Sequence, residues 1–199
     1  LTDKGRGVDV LVMTATPIPR TLTLTAYGDM EVSRLTDKPA GRQPVKTSSM
    51  SIDHLDAVVQ GVRRELTKKS KIYWVCPLVE ESEKLDLAAA EGRYAHLKAV
   101  FGNRVGLVHG KMKGKEKDAV MASFAGGATD ILVATTVIEV GVDVPAATIM
   151  VIEHAERFGL AQLHQLRGRI GRGSEASTCL LLYARNITEQ ARKRLKILR

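Results

Sequence analysis

Short apolar segments alternate along this chain with segments in which apolar residues recur at helical spacing, and this alternation constrains the fold more than any other feature. The short segments are almost uninterrupted apolar runs, as in strands that are covered on both faces. We therefore predict buried strands at Val8–Met13, Lys71–Cys76, Arg104–His109, Asp130–Thr135, Thr148–Ile152 and Thr178–Tyr183, with a weaker candidate at Val45–Met50.

The segments between these strands predict helices. One helical face is formed by apolar residues that recur every three or four positions, namely Ile52, Leu55, Val59, Val62 and Leu66. Ser51 is a suitable N-cap for this helix. A second stripe covers residues 87–101, and a third, shorter helix includes residues 120–124 and ends at Gly126. Strands that alternate with helices in this way predict an α/β fold, with a parallel sheet and helices on both of its faces.

The domain organisation follows from a break in this pattern between Asp37 and Pro44, where two prolines and a glycine indicate a linker or a domain crossing. The residues before it, one predicted strand and a predicted helix at about residues 18–29, are too few for a domain. We therefore predict that residues 1–44 are the end of a preceding domain and that residues 45–199 form the main domain. Because the chain begins with Leu rather than Met, we expect it to be an excised piece of a longer protein.

The composition excludes several classes of protein. With 44% hydrophobic and 26% charged residues, the chain of 199 residues has the composition of a globular protein rather than a disordered or fibrous one. The most apolar stretch, Ile131–Ile152, contains Glu139 and Asp143, so we do not expect it to cross a membrane. Cys76 and Cys179 lie in apolar runs without a CxxC pair, which predicts buried free thiols in a reducing cytosol.

The formal net charge of +8 arises from 30 Lys and Arg against 22 Asp and Glu, and the positive excess is clustered. Basic residues concentrate within residues 111–117, 157–172 and 185–199. Separated patches of this kind suit a polyanion such as nucleic acid or nucleotide phosphate, although any one of them alone could be a solvated helix face. With one Trp, four Tyr and three Phe, the chain favours contacts to a phosphate backbone over a stacking platform for bases.

The segment of residues 162–173 carries the strongest chemical signal. If it is helical, Gln165, Arg169 and Arg172 share one face, whereas Arg167 points the other way and serves packing, an ion pair or a DNA phosphate. Two guanidinium groups and an amide on one face, among three glycines that remove bulk, form a donor array for a compact anion such as a terminal phosphate. The glycines disfavour an ordinary surface helix.

Two further segments place small polar side chains where a strand ends. Thr135 and Thr136 follow a buried strand, and Glu139, Gly141 and Asp143 come next; alternatively, the threonines simply end the strand and Asp143 caps a turn. Thr14, Thr16 and Arg20 lie at a predicted junction of strand and helix, where small hydroxyl side chains suit phosphate contact or a hydrogen-bonded relay. The run Gly110–Glu116 has neither the spacing nor the Ser or Thr of a Walker A motif, and the histidines lack metal-ligand spacing.

Together these motifs resemble those of the second motor domain of superfamily 2 helicases. Thr14-Ala15-Thr16 resembles motif III, Ile72–Pro77 the motif IV strand, Thr135–Pro145 motif V and Gln165–Arg172 motif VI. Five segments are similar in sequence to RecG-type ATP-dependent DNA helicases: Met13–Thr21, Trp74–Ala88, Val105–Met112, Ala134–Val144 and Leu160–Gly173. The resemblance covers essentially the whole chain, and it implies a RecA-like domain of the P-loop NTPase type that lacks its own Walker A motif.

In that family ATP is bound between two RecA-like domains, and the resemblance implies a role for each motif. Arg172 would be the arginine finger, Arg169 its phosphate-contacting companion and Gln165 the residue that organises the motif. The residues that link the nucleotide to the DNA contacts would be Glu139, Gly141 and Asp143, and Thr14 and Thr16 would couple hydrolysis to movement. The contacts to the DNA backbone would come from Thr135, Thr136, His109, Lys111 and Arg20. No residue is predicted to hold a metal, because Mg²⁺ would be held mainly by the first motor domain.

The function that the resemblance implies is half of an ATP-driven DNA helicase or translocase that acts on branched or double-stranded DNA, such as replication forks and Holliday junctions, in the cytoplasm. Its implied partners are DNA and the first motor domain of the same polypeptide, with no membrane. Three alternatives stay open: the motor half of a transcription-repair coupling factor, an RNA helicase half and a non-catalytic nucleic-acid-binding module. We also expect the isolated fragment to lack ATPase activity.

Overall fold

A computed structural model describes residues 43–77, 83–135 and 144–199, together with Leu11, Met13 and Ser33. The chain divides into two units, Leu1–Asp37 and Lys38–Arg199, and the fold below is that of the second. Of the predicted strand Val8–Met13, Leu11 and Met13 are described; neither lies in a strand, and their exposed fractions are 82% and 83%. The strand prediction is therefore wrong at these two positions, and the rest of it, residues 8–10 and 12, lies outside the described residues.

Among the described residues, a single sheet of six parallel strands confirms the other strand predictions to within one residue at each end. The strands are β1 (Lys46–Ser51), β2 (Lys71–Val75), β3 (Val105–Val108), β4 (Ile131–Ala134), β5 (Ala147–Ile152) and β6 (Thr178–Tyr183). Their order across the sheet is β1-β6-β5-β2-β4-β3. All pairings are parallel, so the carboxyl ends of the strands share one edge of the sheet and the amino ends share the other.

The helices cover both faces of this sheet, as predicted. They are α1 (Leu55–Leu66), α2 (Glu83–Phe101), α3 (Gly114–Gly126), α4 (Leu160–Arg167) and α5 (Glu189–Ile197). Side chains of β2 alternate between two cores: Ile72 and Trp74 pack with α1 and α2, whereas Tyr73 and Val75 pack with α3, α4 and α5. This alternation follows from the pleat of a strand, and it explains why both faces of the strand are apolar.

The ends of the helices are formed by capping residues, some of which were predicted from the sequence. The Ser51 hydroxyl accepts a hydrogen bond from the Asp53 N–H in the 3₁₀ turn Ile52–His54 ahead of α1, which confirms the predicted N-cap. Gly127, with φ of +87°, closes α3. The basic segment 185–199 contains α5, which the sequence analysis did not assign; the Thr188 hydroxyl caps it, and Ala191, Leu195 and Leu198 supply its buried stripe.

Cys76 and Cys179 are buried and free, as predicted. Burial raises the pKa of both thiols, that of Cys179 to about 12. The thiols are therefore protonated at neutral pH and behave as small apolar side chains. None of the helices in the described part of the chain combines the length and the apolar character that crossing a membrane requires.

Lys71 is a buried cation that the apolar strand pattern did not anticipate, with 7% of its surface exposed. Its ammonium group donates to the carbonyl of Phe124 and, at 3.3 Å, to that of Thr129, and it lies 5.3 Å from the centroid of the Phe124 ring. The Phe124 carbonyl belongs to the last turn of α3, where the helix dipole favours a positive charge. Lys71 therefore ties the end of α3 to the start of β2.

We expect Lys71→Met to lower the free energy of unfolding by about 1–3 kcal/mol, because one buried and one partly buried carbonyl lose their charged donor. Lys68→Met is the matched control: this exposed side chain pairs with Glu65 at 2.8 Å, and its loss should change stability by less than about 1 kcal/mol. Urea unfolding of the 199-residue chain measures both variants. Equally small effects would contradict the capping role of Lys71.

Candidate functional site

The predicted site residues that the structure describes lie at opposite edges of the sheet. His109 follows β3 and Thr135 follows β4, so both lie at the carboxyl edge. Arg169 and Arg172 follow α4, which runs back from the carboxyl end of β5 toward the start of β6. The remaining candidates, Thr14, Thr16, Arg20, Thr136, Glu139, Gly141 and Asp143, lie outside the described residues.

The segment of residues 168–173, here called the arginine loop, corrects the helical prediction. The helix ends at Arg167; Gly168 is its C-cap, and the Gly168 N–H donates to the His164 carbonyl at 3.0 Å. Ile170 then inserts into the core and is fully buried, and Gly171 has φ of +69°. A buried side chain followed by a left-handed residue turns the chain out of the helix. Arg169 and Arg172 lie four and seven residues after Gln165, but both lie beyond the end of the helix. They therefore do not share a helical face with Gln165.

Close packing against two neighbouring segments fixes the arginine loop at the amino edge. A Cβ atom on Gly171 would lie 2.7 Å from Val45 Cγ2, and one on Gly173 would lie 3.2 Å from the Pro145 carbonyl oxygen. Val45 immediately precedes β1, and Pro145 shortly precedes β5. The glycines do remove bulk, as predicted, but the space they leave is filled by the protein itself. Only glycine allows this approach of loop and sheet.

The polar groups of the loop and of α4 differ in exposure. Gln165 and Arg172 are exposed, and Arg169 is half-buried. The Arg172 side chain folds back over the loop, and its Nε donates to the Gly168 carbonyl at 3.1 Å. A guanidinium group at an exposed position of this loop is the kind of donor that binds phosphate.

Arg167 differs from the other two arginines, as the sequence analysis predicted. Its Nη1 donates to the Leu198 carbonyl at 3.0 Å, which holds the end of α5 against the end of α4. Its Nη2 lies 3.1 Å from His164 Nδ1. Burial and the Arg167 charge lower the pKa of His164, so the imidazole is neutral at pH 7 and its Nδ1 can accept this bond. Arg167 therefore has a packing role.

At the carboxyl edge, two buried polar atoms lack a hydrogen-bond partner among the described residues: Thr135 Oγ1 and His109 Nδ1. Thr135 is 2% exposed, and its N–H donates to the Val108 carbonyl at 3.3 Å. β3 and β4 are neighbours in the sheet, so His109 and Thr135 end adjacent strands. A buried hydroxyl without a partner is costly, and such a group calls for a ligand or another explanation.

Basic side chains lie next to this pair. Lys111, Lys113 and Lys115 are exposed at the start of α3. Glu116, which occupies the position of Ser or Thr in a Walker A motif, accepts a hydrogen bond from the Lys113 N–H at 3.0 Å and so caps the helix. The carboxyl edge therefore combines unsatisfied polar atoms with positive charge, which suits a polyanion.

Sequence reasoning missed a third polar group, formed by Trp74, Arg93 and Glu153. Glu153 directly follows β5 and is 6% exposed; its carboxylate accepts hydrogen bonds from the Trp74 indole and from the Arg93 guanidinium. The available signal was a glutamate at the end of an apolar strand, but its two partners lie far away in the sequence. In the described part of the chain, no group of three or more His, Cys, Asp or Glu side chains could hold a metal ion.

Comparison with known proteins identifies the relatives of this arrangement. Residues 52–174 match the family model of the helicase conserved C-terminal domain. The ATP-dependent DNA helicase RecG of Acidithiobacillus ferridurans is 54% identical over 200 residues, which cover 100% of this chain and 29% of that protein. RecG of Escherichia coli strain K12 is 53% identical over 191 residues, which cover 95% of this chain and 28% of that protein. The chain thus spans less than a third of the length of these relatives.

Solved structures share the fold. RecG bound to a three-way DNA junction is 46% identical with a TM-score of 0.81, covering 99% of this chain and 26% of that one. S. cerevisiae Dbp5 bound to RNA and ADP BeF3 is 17% identical with a TM-score of 0.64, covering 90% of this chain and 44% of that one. The second likeness concerns the fold alone. The parallel sheet with helices on both faces is the RecA-like fold of helicase C-terminal domains, as predicted.

Proposed function

Because this chain belongs to the family of helicase conserved C-terminal domains, we propose that it is the second motor domain of an ATP-dependent DNA helicase or translocase of the RecG type. Its substrates would be branched or double-stranded DNA, such as replication forks and Holliday junctions, in recombination and repair in the cytoplasm. Identity of about half along the whole chain to RecG supports this choice, as does the likeness to a RecG structure with a three-way DNA junction.

The observation that carries the proposal is the arginine loop, held by Gly171 and Gly173 at the amino edge of the sheet. In this proposal the amino edge faces the nucleotide. The Arg172 guanidinium would neutralise the charge that develops on the transferred phosphoryl group of ATP, which is the largest demand of this reaction on the protein. Arg169 would contact the phosphates beside it, and Gln165 would orient the segment.

The described residues fit the phosphates of ATP but not a complete nucleotide site. They offer guanidinium donors without a phosphate-binding cradle, since the sequence contains no Walker A motif. The cradle and most of the Mg²⁺ coordination would therefore come from a first motor domain of the same polypeptide. Thr14 and Thr16, which resemble motif III, would couple hydrolysis to movement between the two domains.

The carboxyl edge would hold the DNA backbone. The unsatisfied Thr135 hydroxyl and the His109 ring are suited to phosphate oxygens, with Lys111 nearby for charge. Thr136 and Arg20 would add contacts of the same kind.

Glu139, Gly141 and Asp143 would link the DNA to the nucleotide. The chain leaves the carboxyl edge at Thr135 and reaches Pro145, against the arginine loop, only ten residues later. This segment therefore joins Thr135 at the proposed DNA edge directly to the residue that packs against the arginine loop.

The proposed function predicts that the isolated 199-residue chain hydrolyses no ATP above background, because its arginines have no bound nucleotide to act on. The intact protein, with both motor domains, should hydrolyse ATP and do so faster with a three-way DNA junction. Steady-state phosphate release from both preparations tests this. ATP turnover by the isolated chain that is abolished by Arg172→Ala would contradict the proposal that a first motor domain must hold the nucleotide. An intact protein without DNA-stimulated turnover would contradict the proposed function.

DNA binding by the isolated chain should be weak, independent of base sequence and steeply dependent on salt, because neutralised phosphates release counterions. Lys111→Ala should reduce the slope of log K against log[salt] by about 1, because one phosphate contact is lost. Lys68→Ala, at the opposite edge, should leave the slope unchanged. Fluorescence anisotropy at several salt concentrations, with DNA duplexes of two unrelated sequences, measures the affinity and its salt dependence. Binding that persists at high salt, or that prefers one sequence, would contradict a backbone-contacting motor domain.

A further inference from the structure

The ion pair between Arg93 and Glu153 is the most deeply buried one among the described residues, with side-chain exposures of 15% and 8%. The contact is bidentate: Arg93 Nε donates to Glu153 Oε1, and Nη2 donates to Oε2 at 3.1 Å. The Trp74 indole N–H also donates to Oε1, and the Arg93 guanidinium lies 5.8 Å from the centroid of the Trp74 ring. Both oxygens of the carboxylate therefore accept hydrogen bonds, two at Oε1 and one at Oε2.

This group lies where the chain leaves two neighbouring strands in opposite directions. β2 and β5 are adjacent, and the Glu153 N–H donates to the Val75 carbonyl at 2.9 Å. From β2 the chain continues into α2 on one face of the sheet; from β5 it continues into α4 on the other face. Arg93 belongs to α2, and Glu153 is the first residue after β5, so the ion pair joins the two diverging paths.

The residues after Glu153 carry the arginine loop. His154 adopts a left-handed conformation with φ of +48°, which is uncommon outside glycine, and its Nδ1 lies 3.1 Å from Glu156 Oε1. The chain then forms a 3₁₀ turn at Ala155–Arg157 and enters α4, which ends at the arginine loop. The fixed Glu153 carboxylate therefore lies immediately before the turn that leads into α4.

Packing alone does not account for an ion pair at this position. Two buried charges lose hydration free energy, and their mutual attraction only partly compensates for this loss. Apolar side chains of similar volume often stabilise a protein equally well at such positions. What a bidentate pair adds is a defined angle between its partners. α2 starts from the carboxyl end of β2, at the edge where DNA is proposed to bind, and α4 ends at the edge where ATP is proposed to bind.

We propose that Arg93 and Glu153 are positioning residues that couple DNA at the carboxyl edge to the placement of the arginine loop at the amino edge. The inference rests on the proposed function and extends it. Neither residue touches ATP or DNA; the pair holds α2 and α4 in one relative orientation, so that a displacement of α2 by DNA is transmitted to α4. Loss of the pair uncouples ATP hydrolysis from DNA while leaving the basal reaction intact.

The test uses the intact protein and compares the kcat for ATP hydrolysis with and without a saturating three-way DNA junction. Glu153→Gln keeps an oxygen for Trp74 and Arg93 but removes the charge; we expect it to lower DNA-stimulated kcat by about 10-fold. The DNA-free kcat and the KM for ATP should change by less than about twofold. Arg93→Lys, which keeps the charge but not the fork, should act in the same direction, and the double variant should lose less than the product of the single effects.

Asp130→Asn is the matched control, because Asp130 pairs with Arg104 at 2.7 Å at the amino edge, away from α4. It should leave the stimulation ratio unchanged. If Glu153→Gln and Arg93→Lys keep the wild-type ratio, or if stimulated and basal rates fall together with the Tm, the pair is merely structural and the inference is wrong. If wild-type protein shows no stimulation by DNA, the proposed function fails and the inference fails with it.

Discussion

We expect Arg172→Ala in the intact protein to lower kcat for ATP hydrolysis by about 10³-fold or more, the scale typical of arginine fingers, with a modest effect on DNA affinity. The reason is that a guanidinium held at the amino edge stabilises charge that is present only in the transition state. Arg172→Lys should not restore activity, because an ammonium group cannot reproduce the planar fork. Steady-state ATPase with saturating forked DNA measures both variants.

Arg169→Ala should act in the same direction, and the double variant should cost less than the sum of the single changes, because both arginines serve one charged group. Arg167→Ala is the control, since its guanidinium donates to the Leu198 carbonyl and should affect stability rather than kcat. The finger assignment would be wrong if Arg167→Ala damaged kcat as much as Arg172→Ala while Arg172→Lys remained active.

Gly171→Ala should destabilise the chain by about 2–4 kcal/mol, through two separate causes. Gly171 has φ of +69°, which costs any other residue roughly 1–2 kcal/mol, and a new Cβ would lie 2.7 Å from Val45 Cγ2. Val45 is β-branched and restricted at χ1, so either its side chain leaves the preferred rotamer or the loop shifts, and both are costly. In the intact protein the variant should also lower kcat, because Arg172 follows Gly171 directly.

Gly92→Ala is the matched control for that change. Gly92 lies within α2, a Cβ atom there would meet nothing within 4 Å, and alanine should stabilise the helix by about 1 kcal/mol. Adding Val45→Ala to Gly171→Ala should recover the part of the loss that comes from the clash but not the part that comes from backbone strain. Chemical denaturation of the single and double variants separates the two terms; a Gly171→Ala chain as stable as wild type would refute the packing argument.

The sequence determined the strands, the helices on both faces and the class of the fold, because these depend on local periodicity. A run such as Ile131–Ala134 is apolar at every position because both faces of a central strand are covered, and the stripe of α1 recurs every three or four residues because one face is covered. Burial of a strand or of a helix face is therefore visible as a pattern of apolar residues that are close together in the sequence. The capping side chain of Ser51 is equally local.

For the proposed site, the sequence predicts a chemistry but did not give the geometry. Motif VI was recognisable from the spacing of Gln165, Arg169 and Arg172, yet the helix stops at Arg167. The helix ends there because the Ile170 side chain packs in the core and Gly171 lies close to the Val45 side chain. No pattern within residues 162–173 reports the position of a residue that precedes β1. The loop therefore had to be placed by the tertiary structure.

The same limit applies to each polar group that only the fold assembled. Lys71 reaches the Phe124 carbonyl across 53 positions, and Arg93 reaches Glu153 across 60. A lysine at the start of one strand, β2, and a glutamate after the end of another, β5, look like ordinary surface residues until the sheet order β1-β6-β5-β2-β4-β3 brings their partners alongside. Periodicity records that a position is buried, whereas the identity of what buries it depends on how remote segments pair. The sequence thus determined the elements, and the pairing of those elements decided which charged side chains cap a helix, which form buried ion pairs and which lie at the surface.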